Sequence, residues 1–233
     1  MEIDYKNIKV IGFDADDTLW VNETYFRDAE AEFCRLLSKY ETPNKIDQEL
    51  FKKEISNLPM YGYGVKAFVL SMVESALELS NYDIPNKTLE AILNIGKDML
   101  KKPVELLDGV DVVLKTLSKK YRLILATKGD LLDQERKLEK SGLTDYFHHI
   151  EVLSDKKEDN YAKLLKHLDI HPSEFLMIGN SLKSDVLPLI NIGAQAIHVP
   201  FHTTWAHEEV TDEDTNGKTY KTINTLKSLL KYF

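Results

Sequence analysis

The chain has 233 residues, 43% of them hydrophobic, and a formal net charge of −8 from 38 acidic against 30 basic residues. That size and apolar fraction suit one large domain, or a core carrying a smaller insertion. The acidic balance argues against a sequence-independent nucleic-acid binder, which needs a basic face to neutralise phosphates. It also leaves any anionic ligand to be held by local positive charge from a metal, lysines or backbone N–H groups.

The first apolar run, residues 8–13, is continuous rather than alternating and predicts a buried parallel strand. It is too short for a signal peptide and runs into acidic residues. No stretch of the chain reaches the ~18–20 apolar residues of a membrane span, so a soluble cytoplasmic protein is expected. Residues 21–102 then change rhythm. Tyr25, Phe26, Ala29, Phe33, Leu36, Leu37 and Tyr40 recur at helical spacing; Val65, Phe68, Val69, Met72, Val73, Ala76 and Leu77 keep an i, i+3, i+4, i+7 pattern; Leu89, Ile92, Leu93, Met99 and Leu100 suggest another helix before Pro103. This is a helical insertion with no convincing strand. Cys34, the only cysteine, cannot form an intrachain disulfide and is expected as a packed core thiol.

Beyond Pro103 strand and helix signals alternate. Apolar runs at 123–126, 150–153, 175–178 and 196–199 predict four more strands. Between them lie helical faces of Val110, Val113, Leu114 and Leu117, of Tyr161, Leu164, Leu165 and Leu168, and of Val186, Leu189 and Ile190. The last is stopped by Gly193. The pattern predicts an α/β fold, a doubly wound parallel sheet, with its core at 1–20 and 103–233 and the helical insertion at 21–102. Residues 208–218 read as an exposed acidic loop before a short final element ending in Leu229 and Leu230.

Ligands of open α/β sheets bind beyond the carboxyl ends of the strands. There this sequence carries Asp14-Ala15-Asp16-Asp17-Thr18, Thr127-Lys128-Gly129, Ser154-Asp155-Lys156-Lys157, and Gly179-Asn180-Ser181 with Asp185 shortly after. Carboxylates, a hydroxyl, a lysine and an amide from four strands therefore converge on one edge. In order and spacing these segments resemble the four motifs of the haloacid dehalogenase superfamily, whose first motif is Asp-x-Asp-x-Thr after an apolar strand. The resemblance covers the whole core, and it implies a Rossmann-like sheet with a smaller all-helical cap inserted after the first motif.

The same resemblance implies a Mg²⁺-dependent phosphatase acting on a small phosphomonoester. Asp14 would be the nucleophile, giving an aspartyl-phosphate. Asp16 would protonate the leaving alkoxide and later deprotonate water, with a pKa above the usual ~3.9 when substrate is bound. Thr127, Lys128 and Gly129 would hold phosphoryl oxygens, and Lys156, with Lys157 as the alternative, would neutralise Asp14 and the phosphate together. The metal ligands would be the Asp14 carboxylate, the Asp16 carbonyl, Asn180 and Asp185. Asn180 stands where the fourth motif usually carries an acid; its oxygen can still ligate Mg²⁺ but brings no charge.

A phosphomutase or pyrophosphatase would use the same core. Family members that break carbon–halogen bonds lack an acid at the second aspartate position, so Asp16 favours phosphate chemistry over a 2-haloacid dehalogenase. Asn180 leaves open a non-catalytic phosphate-ligand binding protein. In the insertion, Tyr61-Gly62-Tyr63-Gly64 with Lys66 reads either as a leaving-group selector or as a plain helix–helix connection. His202, His207 and Glu208 fit no common zinc spacing and read as a surface loop with Trp205 packed back.

Overall fold

A computed structural model describes residues 5–233. Strands made only of apolar residues must be covered on both faces, and the runs at 10–13, 123–126 and 175–178 adopt that solution. The six strands are β1 (Val10–Phe13), β2 (Arg122–Lys128), β3 (His149–Leu153), β4 (Phe175–Gly179), β5 (Gln195–His198) and β6 (Lys221–Thr222). All pairings are parallel and the order is β3-β2-β1-β4-β5-β6. β1 lies at the centre, Val10 facing Arg122 on one side and Phe175 on the other. Alternate residues feed opposite faces: Ile11, Phe13, Leu123, Leu125, Leu176 and Ile178 lie in one core layer, and Val10, Ile124, Ala126, Phe175 and Met177 in the other.

The helices are α1 (Glu23–Leu37), α2 (Pro43–Tyr61), α3 (Val65–Leu79), α4 (Asn86–Lys101), α5 (Val110–Leu117), α6 (Leu131–Ser141), α7 (Glu158–His167), α8 (Leu187–Asn191) and α9 (Asp212–Thr215). Val113, Leu114 and Leu117 of α5 cover one face of the sheet, while Tyr161, Leu164 and Leu165 of α7 cover the other. A single π-turn, Leu182–Val186, precedes α8. Such turns are rare and concentrate at functional sites.

The chain separates into two compact units. One holds the residues up to Glu23 with Val104–Lys128 and Gln134–Phe233; the other holds Thr24–Pro103 with Gly129–Asp133. The second unit has its own core of Ala29, Phe33, Leu37, Ile46, Leu50, Phe68, Met72, Ala76 and Ile92. In it α3 and α4 approach closely: a Cβ on Gly96 would stand 2.2 Å from Val69 Cγ2. Cys34 is half-buried at the edge of this core rather than inside it. Among the described residues no helix is long and apolar enough to cross a membrane.

Candidate active site

The sheet order reverses between β1 and β4, the switch point beside which ligands settle in such folds. Asp14, the first residue after β1, donates its N–H to Ile178 C=O at 2.9 Å, so the ends of the two strands are tied together. Lys156, beyond β3, lies buried with Nζ 2.5 Å from Asp14 Oδ1 and 2.6 Å from Asp185 Oδ1. Burial pulls the Lys156 ammonium down, but the charges of Asp14 and Asp185 outweigh it and raise its pKa well above the ordinary value. Burial pushes Asp14 up, to about 7, with Asp185 and Asp16 adding to the rise and Lys156 opposing it. The ammonium thus lies between two carboxylates. Lys157 is instead exposed and pairs with Asp155 at 2.8 Å.

Asp185, expected as a metal ligand, has both oxygens occupied: Oδ1 by Lys156 and Oδ2 by the Ser181 N–H at 3.0 Å. In this geometry it contacts Lys156. The fit is tight, since a Cβ on Gly179 would stand 2.2 Å from Asp185 Oδ2. Tyr161, fully buried, donates its hydroxyl to Ser184 C=O at 3.0 Å and so pins the π-turn that carries Asp185.

On the other side of Asp14, Oδ2 accepts from Thr18 Oγ1 at 2.9 Å. One terminal atom of the Asn180 amide meets three oxygens there: Asp14 Oδ2 at 3.1 Å, Thr18 Oγ1 at 3.2 Å and the Asp16 carbonyl at 3.3 Å. If that atom is NH₂, its two hydrogens can serve two of these three oxygens. If it is the oxygen, the convergence of Asp14 Oδ2, Asp16 C=O and Asn180 Oδ1 is an all-oxygen set of the kind that suits Mg²⁺. The residues thus fit the ion implied by the motifs, without Asp185. Among the described residues no group of three or more His, Cys, Asp or Glu is placed to hold a metal. A cation here would rest on a carbonyl and an amide as well as on Asp14.

Asp16 departs from expectation. Its Oδ1 accepts from Trp20 Nε1 at 2.7 Å and Lys137 Nζ at 2.9 Å, and its Oδ2 accepts from Gln134 Nε2 at 2.8 Å. Burial pushes its pKa up, but the Lys137 charge and the bonds from Lys137, Gln134 and Trp20 outweigh it, so the carboxyl lies below the usual range. The elevation expected for an acid in the substrate-bound state is absent from this arrangement because Lys137 lies against it. Asp17 turns away from this chemistry, with a φ of 62°, and accepts the Asn22 and Glu23 N–H groups ahead of α1.

Thr127 is buried at the end of β2, its hydroxyl directed at Lys128 C=O, and Gly129 follows with φ of 127°. The Lys128 side chain, expected to hold phosphate, has partners of its own here. It donates to Glu208 Oε1 at 2.6 Å and Ser184 Oγ at 2.9 Å. Glu208 Oε2 also accepts from Ser181 and Ser184 hydroxyls, each at 2.5 Å. Glu208, read from sequence as part of an exposed loop, is therefore a half-buried anchor. Gln134 and Lys137, one turn apart on α6, were also missed. The signal available was that a carboxylate between buried neighbours such as Asp16 needs a donor, but nothing in the sequence says which one.

In the helical unit, Tyr61 closes α2 and donates to Glu74 at 2.7 Å. Gly62 and Gly64 adopt φ of 70° and 103° on either side of Tyr63, and Lys66 pairs with Asp130 at 2.9 Å. The segment connects α2 to α3, and its two best polar handles already have partners.

The sequence profile of the haloacid dehalogenase-like hydrolases matches residues 8–193. A crystal structure of a haloacid dehalogenase-like family hydrolase from Xanthomonas campestris is 41% identical, with a TM-score of 0.81 over 92% of this chain and 91% of that one. N-acylneuraminate-9-phosphatase of Mus musculus is 26% identical over 200 residues, 81% of each chain. Glyceraldehyde 3-phosphate phosphatase of Pyrococcus furiosus is 24% identical over 204 residues, 82% of this chain and 80% of that one.

Proposed function

Because this chain belongs to the haloacid dehalogenase-like hydrolases, we propose that it hydrolyses a small phosphomonoester through a phosphorylated Asp14. The observation that carries the reading is the buried Lys156 ammonium, 2.5 Å from Asp14 Oδ1, with Asp16 following two residues later. A nucleophilic carboxylate and a phosphate dianion repel one another, and a fixed cation between them lowers that barrier without reorganising as charge develops.

In the first step the Asp14 carboxylate attacks phosphorus, the bond from phosphorus to the leaving oxygen breaks, and that oxygen takes a proton from Asp16. In the second step water attacks the acyl phosphate, loses a proton to Asp16, and Asp14 is regenerated as inorganic phosphate departs. The ionised Asp16 of the resting arrangement suits the second step as base. For the first step it must be protonated, which requires its contact with Lys137 to loosen. Thr127 and the N–H groups that follow it would receive phosphoryl oxygens. Mg²⁺, when bound by Asp14, the Asp16 carbonyl and Asn180, would supply Lewis-acid charge to a phosphate oxygen.

The named activities of the mammalian and archaeal relatives, on a sialic acid 9-phosphate and a triose phosphate, support a small phosphorylated metabolite as substrate. The presence of Asp16 favours a leaving group that needs a proton over halide. The test is phosphate release from a panel containing N-acylneuraminate 9-phosphate, glyceraldehyde 3-phosphate, sugar phosphates, nucleotides, phosphoglycolate and pyrophosphate, with and without Mg²⁺. Wild type should release phosphate from at least one phosphomonoester in a Mg²⁺-dependent manner, and Asp14→Asn should release none. Activity surviving in Asp14→Asn, or halide release from a 2-haloacid in place of phosphate release, would sink the proposal.

A further inference from the structure

Thr18 Oγ1 has one hydrogen, yet it lies 2.9 Å from Asp14 Oδ2 and 3.2 Å from the Asn180 amide. Both contacts are hydrogen bonds only if Thr18 donates to Asp14 and accepts from Asn180 NH₂. One amide hydrogen then goes to Thr18 and the second to the Asp14 carboxylate or the Asp16 carbonyl, both within reach. The amide at this position can thus serve two of the three oxygens without a cation. An aspartate, having no hydrogen to offer when ionised, would set a further acceptor against the Asp14 carboxylate at 3.1 Å and the Asp16 carbonyl at 3.3 Å, an arrangement that favours a cation between them.

We propose that Asn180 is a two-way switch: it donates to the oxygens of the cation-free site, and turns its amide oxygen inward only when a divalent cation and a phosphate group arrive together. The formal charge argues the same way. Asp14 and Asp185 share Lys156, so the three sum to −1, and Asn180 adds nothing. A dication finds little charge to hold it until a phosphate dianion completes its ligand sphere. Cation and phosphate therefore bind cooperatively, each raising the affinity for the other by one factor. The inference rests on the phosphohydrolase reading for the identity of the two ligands, but its test does not need turnover.

The measurement is Mn²⁺ binding by the full chain, followed by the electron paramagnetic resonance of free Mn²⁺, with and without inorganic phosphate. Saturating phosphate should lower the wild-type Kd for Mn²⁺ by about tenfold or more, since charge count sets the affinity of oxygen sites. Asn180→Asp should bind Mn²⁺ about tenfold or more tightly than wild type without phosphate, and gain less from its addition. Asn180→Ala, which can neither donate nor ligate, should bind more weakly than wild type when phosphate is present. Thermal melts in chelator identify any variant that fails to fold, and the wild-type phosphate dependence stands as a test without variants. A wild-type Kd indifferent to phosphate, or Asn180→Ala matching wild type in its presence, would overturn the proposal. Cooperative binding without phosphate release from any substrate would instead retire the hydrolase reading and leave this one standing.

Discussion

Replacing Glu208 by alanine removes the carboxylate from a Lys128 ammonium whose side chain is only 14% exposed, itself 2.6 Å from a Glu208 that is 13% exposed. Removing one member of a buried pair strands the other, at a cost of about 3–5 kcal/mol. The titration of Glu208 gives a similar scale. Burial pushes it up, but Lys128 together with Ser181 and Ser184 holds it at about 2, against 4.5 for a free glutamate. That difference is about 3 kcal/mol of folding stability. Such a loss should lower Tm by about 6–12 °C in a chain of this length. The sign with pH follows: a depressed carboxylate contributes fully above about 4.5 and its contribution fades as pH falls towards about 2. The gap between wild type and Glu208→Ala should therefore be full at neutral pH and shrink across that window. Lys128→Met should cost a similar amount, while Lys128→Met combined with Glu208→Ala should recover at least half of either single loss, as a cycle of melts would show. A Glu208→Ala protein melting within about 1 °C of wild type, or single losses that simply add, would refute the reasoning.

The two other perturbations test the site and the helical unit. Gly179→Ala puts a methyl 2.2 Å from Asp185 Oδ2, so it should push Asp185 off Lys156 and lower phosphate release by about a hundredfold while the helical unit stays folded; unchanged kinetics would mean Asp185 does not position Lys156. Tyr61→Phe and Lys66→Ala remove contacts to Glu74 and Asp130. If that segment selects the leaving group, kcat/KM on the best substrate should fall severalfold with little effect on poor substrates, and equal values across the panel would leave it as a helix connection.

The sheet was legible because its signal is local: Val10, Ile11 and Phe13, or Leu176, Met177 and Ile178, are continuous apolar runs that only two covered faces can explain. Helix α2 was not legible, since only Ile46 and Leu50 of its nineteen residues are buried and Pro59 interrupts it near its end. β6 is two residues long, Lys221 and Thr222, and its pairing with β5 leaves no apolar trace. The site followed the same division. Residues at strand ends are placed by the strands, so Asp14, Thr127 and Asn180 could be read directly. Their tuning could not, because it comes from far along the chain. Lys137 reaches Asp16 across 121 positions, and Lys128 finds Glu208 across 80. Within an acidic run such as Glu208, Glu209, Asp212, Glu213 and Asp214, nothing local marks the one residue that is half-buried.

The position of β1 also constrains how the chain folds. The strand at the middle of the sheet is made first, yet its partners begin at Arg122 and Phe175. The sheet's nucleus cannot close until most of the polypeptide exists, and until then an apolar strand waits with both edges open. The contacts within 24–103, by contrast, close over short distances between successive helices, which form fast. During synthesis the helical unit should therefore condense first. Once folded, it replaces a long flexible connection between β1 and β2 with an ordered body, reducing the entropy still to be lost when the strands meet. The inserted helices thus bear on assembly as well as on whatever they contribute to catalysis.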